Sequence, residues 1–111
     1  MPASGGTGGG ASGACTNADD QAKLNAMNVG EVVGGCAKDN LGGEPGTKTC
    51  IKTKTNLSDA CVDCFDQAVQ CGAKNCWLQC ISDSNSPDCI ACRAQFCDPA
   101  FAACSGLTGN P

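Results

Sequence analysis

The 111-residue chain carries a net charge of −4, twelve cysteines and no histidine. A chain of this length forms one domain with a thin apolar core, because it buries only about 60–65% of the surface that it exposes when unfolded. The absence of histidine excludes Ser–His–Asp and Cys–His catalysis, haem ligation through histidine and Cys/His zinc sites. The seven Lys and Arg residues are dispersed, which indicates no nucleic-acid partner and no patch for anionic membranes.

The cysteines indicate both how the chain is stabilised and where it resides. Twelve cysteines in 111 residues exceed the roughly 8–10% that marks a disulfide scaffold in a short secreted chain. Each bridge contributes on the order of 2–4 kcal/mol, so six bridges can replace the missing core. Disulfides persist in oxidising compartments, and we therefore expect an extracellular or cell-surface protein from which an export signal has been removed. No apolar run approaches the ~18–20 residues of a membrane helix, so no transmembrane segment is predicted.

The chain divides into three parts by composition. After Met1 and Pro2, residues 3–14 are Gly, Ser, Ala and Thr, so residues 1–14 have almost nothing to bury, which is typical of a disordered, flexible tether. Residues 15–107 contain every cysteine and form the predicted domain. Residues 108–111 are left as a short C-terminal tail.

The first helix is predicted to begin near Cys15. Thr16 or Asn17 can cap its N-terminus, and acidic residues in its first turn suit the helix dipole. Gly30 weakens the helix, which is expected to kink or end early there, and Gly34 with Gly35 is expected to stop it. Residues 36–41 could add one more turn before the Gly42–Gly43 turn.

The next two segments differ in how clearly they are signalled. Residues 47–55 alternate Lys with Thr and Ile, a pattern that fits a strand as well as a short helix, and we favour a helix. Ser58 is the predicted cap of a further helix, and Leu57 with Val62 forms a hydrophobic staple. Gly72 is placed as the left-handed residue that ends it.

Three shorter helices complete the prediction. One covers residues 75–81, and another begins where Pro87 follows Ser86, since proline is favoured at the first helical position. Pro99 repeats this arrangement, and Gly106 ends the last helix. The sequence therefore predicts an all-α fold, a small disulfide-rich bundle of four to six short helices.

All twelve cysteines are predicted to form disulfides. Their positions are Cys15, Cys36, Cys50, Cys61, Cys64, Cys71, Cys76, Cys80, Cys89, Cys92, Cys97 and Cys104. Three precede Leu57 and nine follow it, so at least one bridge must join the two parts of the chain. The connectivity stays open, since twelve cysteines allow on the order of ten thousand pairings.

Three short motifs carry a resemblance to a known group. They are the Cys-x2-Cys-Phe at 61–65, the Ser-Pro-Asp-Cys-x2-Cys-Arg at 86–93 and the Asp-Pro-Ala-Phe-x2-Cys-Ser-Gly-Leu at 98–107. In these motifs the chain resembles cysteine-rich, all-helical domains of exported lipoproteins of the myxobacterial type, which often follow a Gly/Ser-rich spacer. The resemblance covers residues 15–107. It implies export and surface anchoring and implies no activity.

Metal binding is one alternative reading of the cysteines. Free thiolates one helical turn apart could hold Cu(I) or Zn²⁺, and in this respect the chain resembles helical copper-storage proteins. The ligands would be Cys61, Cys64, Cys76, Cys80, Cys89 and Cys92. The two Cys-x2-Cys motifs could instead be redox-active thiols, but the chain lacks the strand–helix alternation of a thioredoxin-like fold.

Acidic and aromatic residues supply further candidates. Asp59, Asp63 and Asp66 share one helix face and could attract Ca²⁺, but no calcium-binding loop accompanies them, so a solvated acidic face is expected. Trp77 could be an exposed anchor for a partner, although packing against a disulfide is the ordinary explanation.

The predicted function is that of an exported, non-catalytic structural or interaction module. It would have no cofactor, would be monomeric, and would contact an unidentified protein or surface partner. The second alternative is a carrier of a small apolar ligand, which requires an enclosed pocket lined by residues such as Leu24, Met27, Val33, Phe65 and Phe101. An exposed apolar or aromatic patch would favour the interaction module.

Overall fold

The computed structural model describes residues 13–83 and 86–107. Every regular element in these residues is helical, which confirms the all-α prediction. The helices in chain order are α1 (Ala18–Ala26), α2 (Val29–Asn40), α3 (Gly46–Thr55), α4 (Asp59–Asn75), α5 (Trp77–Cys80), α6 (Pro87–Phe96) and α7 (Asp98–Ser105). Residues 1–12 of the predicted tether and the predicted tail lie outside the described residues.

These seven helices exceed the predicted four to six because the first predicted helix is two helices. Asn17 caps α1 by accepting a hydrogen bond from the Asp20 N–H at 2.8 Å. Asn28 then caps α2 by accepting from the Glu31 N–H at 3.4 Å. The break therefore falls two residues before Gly30, where a second capping side chain is present.

Gly34 and Gly35 do not stop this part of the chain, so that prediction is wrong. Helix α2 continues to Asn40 and ends at Leu41, whose φ of 50° is left-handed. The burial of Cys36, which forms a bridge to Cys50 in α3, holds the intervening turn helical. Tertiary packing of this kind outweighs the low helix propensity of glycine.

The predicted helix over residues 47–55 is confirmed as α3, and Ser58 caps α4 as predicted. The Ser58 hydroxyl oxygen accepts a hydrogen bond from the Cys61 N–H at 3.3 Å. Leu57 and Val62, the predicted staple, are both buried. Ile51 of α3 is fully buried, so this helix packs against the core.

Gly72 does not end α4, and this prediction is also wrong. The helix continues through Asn75, and the Gly72 carbonyl accepts a hydrogen bond from the Cys76 N–H at 2.8 Å. Bridges from Cys71 to Cys97 and from Cys76 to Cys92 attach this last part of α4 to the chain around α6. Helix α5 accordingly begins at residue 77 rather than at 75.

The predicted start of α6 and the predicted end of α7 are confirmed, whereas Pro99 is the second residue of α7 rather than the first, because α7 begins at Asp98. Ser86 caps α6 by accepting from the Cys89 N–H at 3.2 Å, and Pro87 occupies the first helical position. Gly106 ends α7 with a φ of 79°. An added Cβ at Gly106 would lie 2.8 Å from the Gly13 Cα. Glycine at this position therefore supplies the left-handed backbone and allows Gly13 to approach closely.

Six disulfides pair all twelve cysteines. They are Cys15–Cys61, Cys36–Cys50, Cys64–Cys104, Cys71–Cys97, Cys76–Cys92 and Cys80–Cys89. The bridge that joins the segment before Leu57 to the segment after it is Cys15–Cys61, which meets the parity requirement with a single crossing.

The core lies around the first half of α4. Phe65 of α4 is fully buried, and its ring centroid lies 4.8 Å from that of Phe101 in α7, at a tilted angle of 53°. Ile51, Leu57 and buried cysteines complete the cluster. The small number of large apolar side chains in it agrees with the thin core that the chain length predicts.

A buried carboxylate joins α1 to the start of α4. Asp20 is fully buried; its two carboxylate oxygens accept hydrogen bonds from the Ser58 N–H at 2.8 Å and the Ser58 hydroxyl at 2.6 Å. Burial by itself would raise the pKa of Asp20, but hydrogen bonds from Ser58 and Asn17 hold it below its usual value. An acidic residue expected only to suit the α1 dipole therefore makes a tertiary contact.

Candidate functional site

An apolar groove of about 340 Å³ lies between α2, the second half of α4, α5 and α6. We call it the groove throughout. Its lining residues are Gly30, Val33, Gly34, Ala37, Lys38, Leu41, Gly42, Ala68, Val69, Gly72, Ala73, Trp77, Cys80, Ile81, Cys89, Arg93, Cys97 and Asp98. The volume falls within the range of small-molecule and side-chain binding pockets.

Small residues at helical spacing open the groove between α2 and α4. On α2 they recur at positions 30, 33, 34 and 37, and on α4 at positions 68, 69, 72 and 73. These spacings place each set on one helix face. A Cβ added at Gly72 would meet no atom within 4 Å, so this glycine leaves space unfilled. Two glycines expected to stop helices, Gly34 and Gly72, thus line the groove.

The opposite side carries larger apolar side chains beside disulfide sulfur. Trp77 and Ile81 come from the α5 segment, and each is 42% exposed. The Cys80–Cys89 bridge, whose two cysteines also line the groove, joins this segment to α6. Trp77 is therefore partly open to solvent, and the disulfide-bonded Cys80 and Cys89 line the same groove.

Leu41 forms the end of the groove nearest the α2–α3 connection and is 66% exposed. Large apolar side chains are seldom left open in a contiguous set on a soluble domain unless the surface binds something. Leu41, Trp77 and Ile81 are three exposed apolar side chains that line the same groove. The patch that would favour an interaction module is present.

Three charged residues lie among the apolar ones. Lys38 and Arg93 are basic, and Asp98 is acidic. Burial raises the pKa of Asp98, and the nearby Arg93 guanidinium opposes part of that rise. Arg93 Nε and Asp98 Oδ1 are buried and have no hydrogen-bond partner within the described part of the chain. An apolar lining with a few polar groups is the usual composition of a binding site.

The candidate metal ligands are all disulfide-bonded. Cys61 and Cys64 pair with Cys15 and Cys104, and the remaining four pair among themselves as Cys76–Cys92 and Cys80–Cys89. Oxidised sulfur offers no thiolate to Cu(I) or Zn²⁺. Residues 13–83 and 86–107 contain no group of three or more Cys, Asp or Glu side chains arranged to hold a metal ion.

The residues named for an enclosed apolar pocket are mostly part of the core. Phe65 and Phe101 pack against each other at a tilt, and Leu24 packs against the core cluster. Met27 lies at the C-terminus of α1. Val33 is the member of this set that lines the groove.

The three aspartates of the acidic face have separate environments. Lys52 forms an ion pair with Asp59 at 3.1 Å, and Lys48 forms one with Asp63. Asp66 is buried, with only 6% of its surface exposed. The predicted solvated acidic face therefore holds for the first two and not for Asp66.

Residues that the sequence reading missed include Leu41, Arg93 and both stripes of small residues. A signal for the stripes was present, because glycine, alanine and valine recur at i, i+3, i+4 and i+7 on α2 and at i, i+1, i+4 and i+5 on α4, and such spacings mark one helix face. Leu41 and Arg93 carry no comparable signal, since their placement depends on how α2 and α6 pack.

In comparison with known proteins, no family model, no curated protein and no solved structure matches the chain. None of the helices in the described residues is long and apolar enough to cross a membrane.

Proposed function

We propose that the protein is an exported, non-catalytic interaction module that binds an apolar segment of a partner protein in the groove. The observation that carries this proposal is the exposed set of Leu41, Trp77 and Ile81 beside a row of small residues. Large apolar side chains on one side and space on the other are what a partner's side chains require.

Disulfides make this surface rigid before any partner arrives. Cys80 and Cys89 line the groove and are bonded to each other, and Cys97 of the lining is bonded to Cys71 of α4. A preorganised surface loses less conformational entropy on binding, so more of its interaction energy becomes affinity. Rigidity of this kind supports recognition.

The openness of the groove favours a protein segment over a small carried molecule. Carriers surround most of their ligand's surface, whereas Trp77 and Ile81 remain 42% exposed here. A segment that lies along the surface can cover these side chains while it inserts its own between α2 and α4.

The charge of the lining supports an acidic flank on the partner. Lys38, Arg93 and Asp98 sum to +1 in a chain whose net charge is −4. An apolar segment that carries Asp or Glu beside its anchors would complement this local excess of positive charge.

Two further features bear on location and chemistry. Six disulfides form and persist outside the reducing cytosol, and the resemblance to exported lipoprotein domains implies the same compartment. The absence of histidine from the sequence removes the usual general base of hydrolytic sites. Export and a non-catalytic role are both parts of this proposal.

The test combines peptide selection with a direct optical readout. Random 12-residue peptides displayed on phage are selected on the oxidised protein, and the enriched peptides are synthesised. Binding is then followed by the fluorescence of Trp77, the chain's only tryptophan, which lies in the groove. We expect enriched peptides that combine apolar anchors with acidic residues and bind in a salt-dependent manner.

A matched pair of variants locates the binding. Gly72 and Gly35 are both helical, and an added Cβ at either meets no atom within 4 Å, but only Gly72 lines the groove. We expect Gly72→Leu to weaken peptide binding at least tenfold and Gly35→Leu to leave it unchanged. Equal effects of the two variants, or no peptide that changes Trp77 fluorescence, would contradict the proposal.

Decanoate serves as the probe for the small-ligand carrier. A 1:1 decanoate complex that is lost in Gly72→Leu, together with no peptide binding, would replace the interaction module by the carrier.

A further inference from the structure

The Cys80–Cys89 bridge lies in the wall of the groove and joins the end of α5 to the start of α6. Both of its cysteines line the groove. Cys80 is partly exposed, whereas Cys89 is fully buried. A small thiolate that enters the groove therefore reaches the sulfur of Cys80 before that of Cys89.

This bridge also closes the shortest loop in the chain. Its cysteines are 9 residues apart, whereas the other five bridges have separations of 14 to 46 residues. A bridge across a short loop restricts the unfolded chain less and so stabilises the folded chain less. We therefore expect the folded chain to tolerate the loss of Cys80–Cys89 better than the loss of any other bridge.

The six bridges differ in how far a reagent can reach them, and all twelve cysteines lie within the described residues. Both cysteines are buried in Cys15–Cys61 and in Cys76–Cys92, so solution thiols have little access to these two bridges. The other four bridges each contain one partly exposed cysteine, namely Cys50, Cys71, Cys80 and Cys104. Among these four, Cys80–Cys89 combines the shortest loop with two cysteines that line the groove.

The position of Cys89 favours its departure as a thiolate. Cys89 is the third residue of α6, and the positive end of the helix dipole stabilises a thiolate there, which offsets the cost of its burial. The carboxylate of the neighbouring Asp88 is exposed, so water weakens its opposing effect. A stable leaving thiolate accelerates thiol–disulfide exchange.

Helix α5 depends on the bridges at its two ends. It has four residues and buries none of them, and a helix of this length is not stable in water by itself. Cys76, just before α5, is bonded to Cys92, and Cys80 is the last residue of α5. If Cys80–Cys89 opens, only the start of α5 remains covalently attached to α6.

One hydrogen bond also joins the end of α5 to the start of α6. The Ser86 hydroxyl donates to the Gln79 carbonyl at 3.2 Å in an exposed position. Water competes for such a bond, so its net contribution is small beside that of a covalent bridge. Opening of Cys80–Cys89 therefore releases the end of α5 together with Ile81, which follows it and lines the groove.

We propose that the Cys80–Cys89 bridge is a redox switch of the groove, which a small dithiol opens by reduction. One thiolate of the dithiol attacks Cys80 Sγ and forms a mixed disulfide with it, while Cys89 leaves as a thiolate and takes up a proton. The second thiol of the dithiol then attacks the dithiol's own sulfur in the mixed disulfide, and Cys80 leaves and is protonated. The bridge gains two electrons and two protons, and the dithiol is oxidised to a disulfide.

The structural change is confined to one side of the groove. Cys71–Cys97 and Cys76–Cys92 enclose the Cys80–Cys89 loop in the sequence and stay closed, so α4 and α6 remain attached to each other. The α5 segment, which carries Trp77 and Ile81, separates from α6. The oxidised protein binds a partner and the reduced protein releases it; this consequence rests on the function proposed above, whereas the opening of the bridge does not.

The first test maps which bridge opens first. The oxidised chain is treated with increasing concentrations of dithiothreitol without denaturant, the free thiols are alkylated with iodoacetamide, and the labelled cysteines are located by peptide mass spectrometry. We expect Cys80 and Cys89 to be labelled about tenfold faster than the cysteines of any other bridge. Earlier labelling of another bridge, or the opening of all six at one concentration, would overturn the proposal.

The second test follows α5 through Trp77, the chain's only tryptophan. Quenching of its fluorescence by acrylamide should rise roughly twofold as Cys80–Cys89 opens, because α5 is not stable by itself. Quenching that stays constant while these two cysteines become labelled would show that the bridge does not hold α5, and would overturn the switch.

A pair of variants reproduces the open state without a reductant. Cys80→Ser combined with Cys89→Ser should raise Trp77 quenching as reduction does. The matched control is Cys36→Ser combined with Cys50→Ser, since this bridge also has one buried and one partly exposed cysteine and a short separation of 14 residues. The control should leave the quenching unchanged, and equal effects of the two variants would overturn the switch. If either variant fails to fold, the dithiothreitol titration of the unaltered chain still decides the question.

The switch and the interaction module fail separately. A peptide selected on the oxidised protein should bind about tenfold more weakly when Cys80 and Cys89 are both serine, and equal binding would overturn the switch. If no peptide binds the oxidised protein, the interaction module fails, and the labelling and quenching measurements still decide whether the bridge opens and releases α5.

Discussion

In residues 13–66 and 98–107, three disulfides lie beside apolar side chains that pack on one another, whereas in residues 67–83 and 86–97 every buried residue is a cysteine. We call the first set the core region and the second the bridged region. Each region holds three complete bridges, and no bridge joins one region to the other.

This division explains where the exposed apolar side chains lie. Of the six large hydrophobic residues that are exposed, all but Leu41 belong to the bridged region; they are Trp77, Leu78, Ile81, Ile90 and Phe96. A segment closed by covalent bonds keeps its shape without burying its apolar side chains, because the bridges restrict the unfolded chain instead. The bridged region is thus free to present apolar surface to a partner.

The largest difference between the regions is expected when one phenylalanine is truncated in each. Phe65→Ala removes a fully buried ring that packs at a tilt against Phe101, so the free energy of unfolding should fall by about 3–5 kcal/mol. Phe96 is 53% exposed in the bridged region, so Phe96→Ala should change it by at most about 0.5 kcal/mol. Urea denaturation of the oxidised proteins measures both values. Similar losses would mean that the bridged region has an apolar core of its own.

Removal of one bridge from each region tests how far the damage spreads. The Cys76–Cys92 and Cys36–Cys50 bridges close loops of similar sequence separation, 16 and 14 residues, so each should contribute about 3 kcal/mol. Replacement of Cys76 and Cys92 by alanine should raise amide hydrogen exchange within residues 67–97 and leave the core region protected. Replacement of Cys36 and Cys50 by alanine should raise amide exchange in α2 and α3. The increase should be smaller than in the bridged region, because Ile51 and Val33 remain packed.

Hydrogen exchange followed by mass spectrometry distinguishes these outcomes. Loss of protection throughout the chain when Cys76 and Cys92 are replaced would show that the two regions unfold as one unit.

Two glycines should respond to alanine with opposite signs, and this is the smallest expected effect. Gly106→Ala places a Cβ at a left-handed residue, 2.8 Å from the Gly13 Cα, and should destabilise the core region by roughly 1–2 kcal/mol. Gly72→Ala adds a Cβ in open space within α4 and should stabilise the chain by up to about 1 kcal/mol through helix propensity. Thermal unfolding monitored by circular dichroism measures both shifts. If Gly72→Ala destabilised the chain, the space beside Gly72 in the groove would already be filled by other atoms.

The local signals of the chain were sufficient for part of this structure. Ser58 caps one helix, Pro87 begins another and Gly106 ends a third, as the sequence predicts, because each of these roles depends on backbone groups within a few residues. The odd number of cysteines on each side of Leu57 requires a bridge between the two parts, and Cys15–Cys61 is that bridge. The all-α class follows from the same local signals.

The tertiary structure decided three other features of the protein. They are the pairing of the cysteines, the continuation of α2 and α4 through Gly34 and Gly72, and the burial of Asp66. Each depends on which residues from distant parts of the chain come together, and no local pattern contains that information. In sequence, a glycine that ends a helix cannot be told from a glycine inside a helix that leaves space for a neighbouring group. The helix continues past the glycine only where a neighbouring helix holds the next turn in place. The groove exists because packing and disulfides hold the glycine-containing turns of α2 and α4 helical.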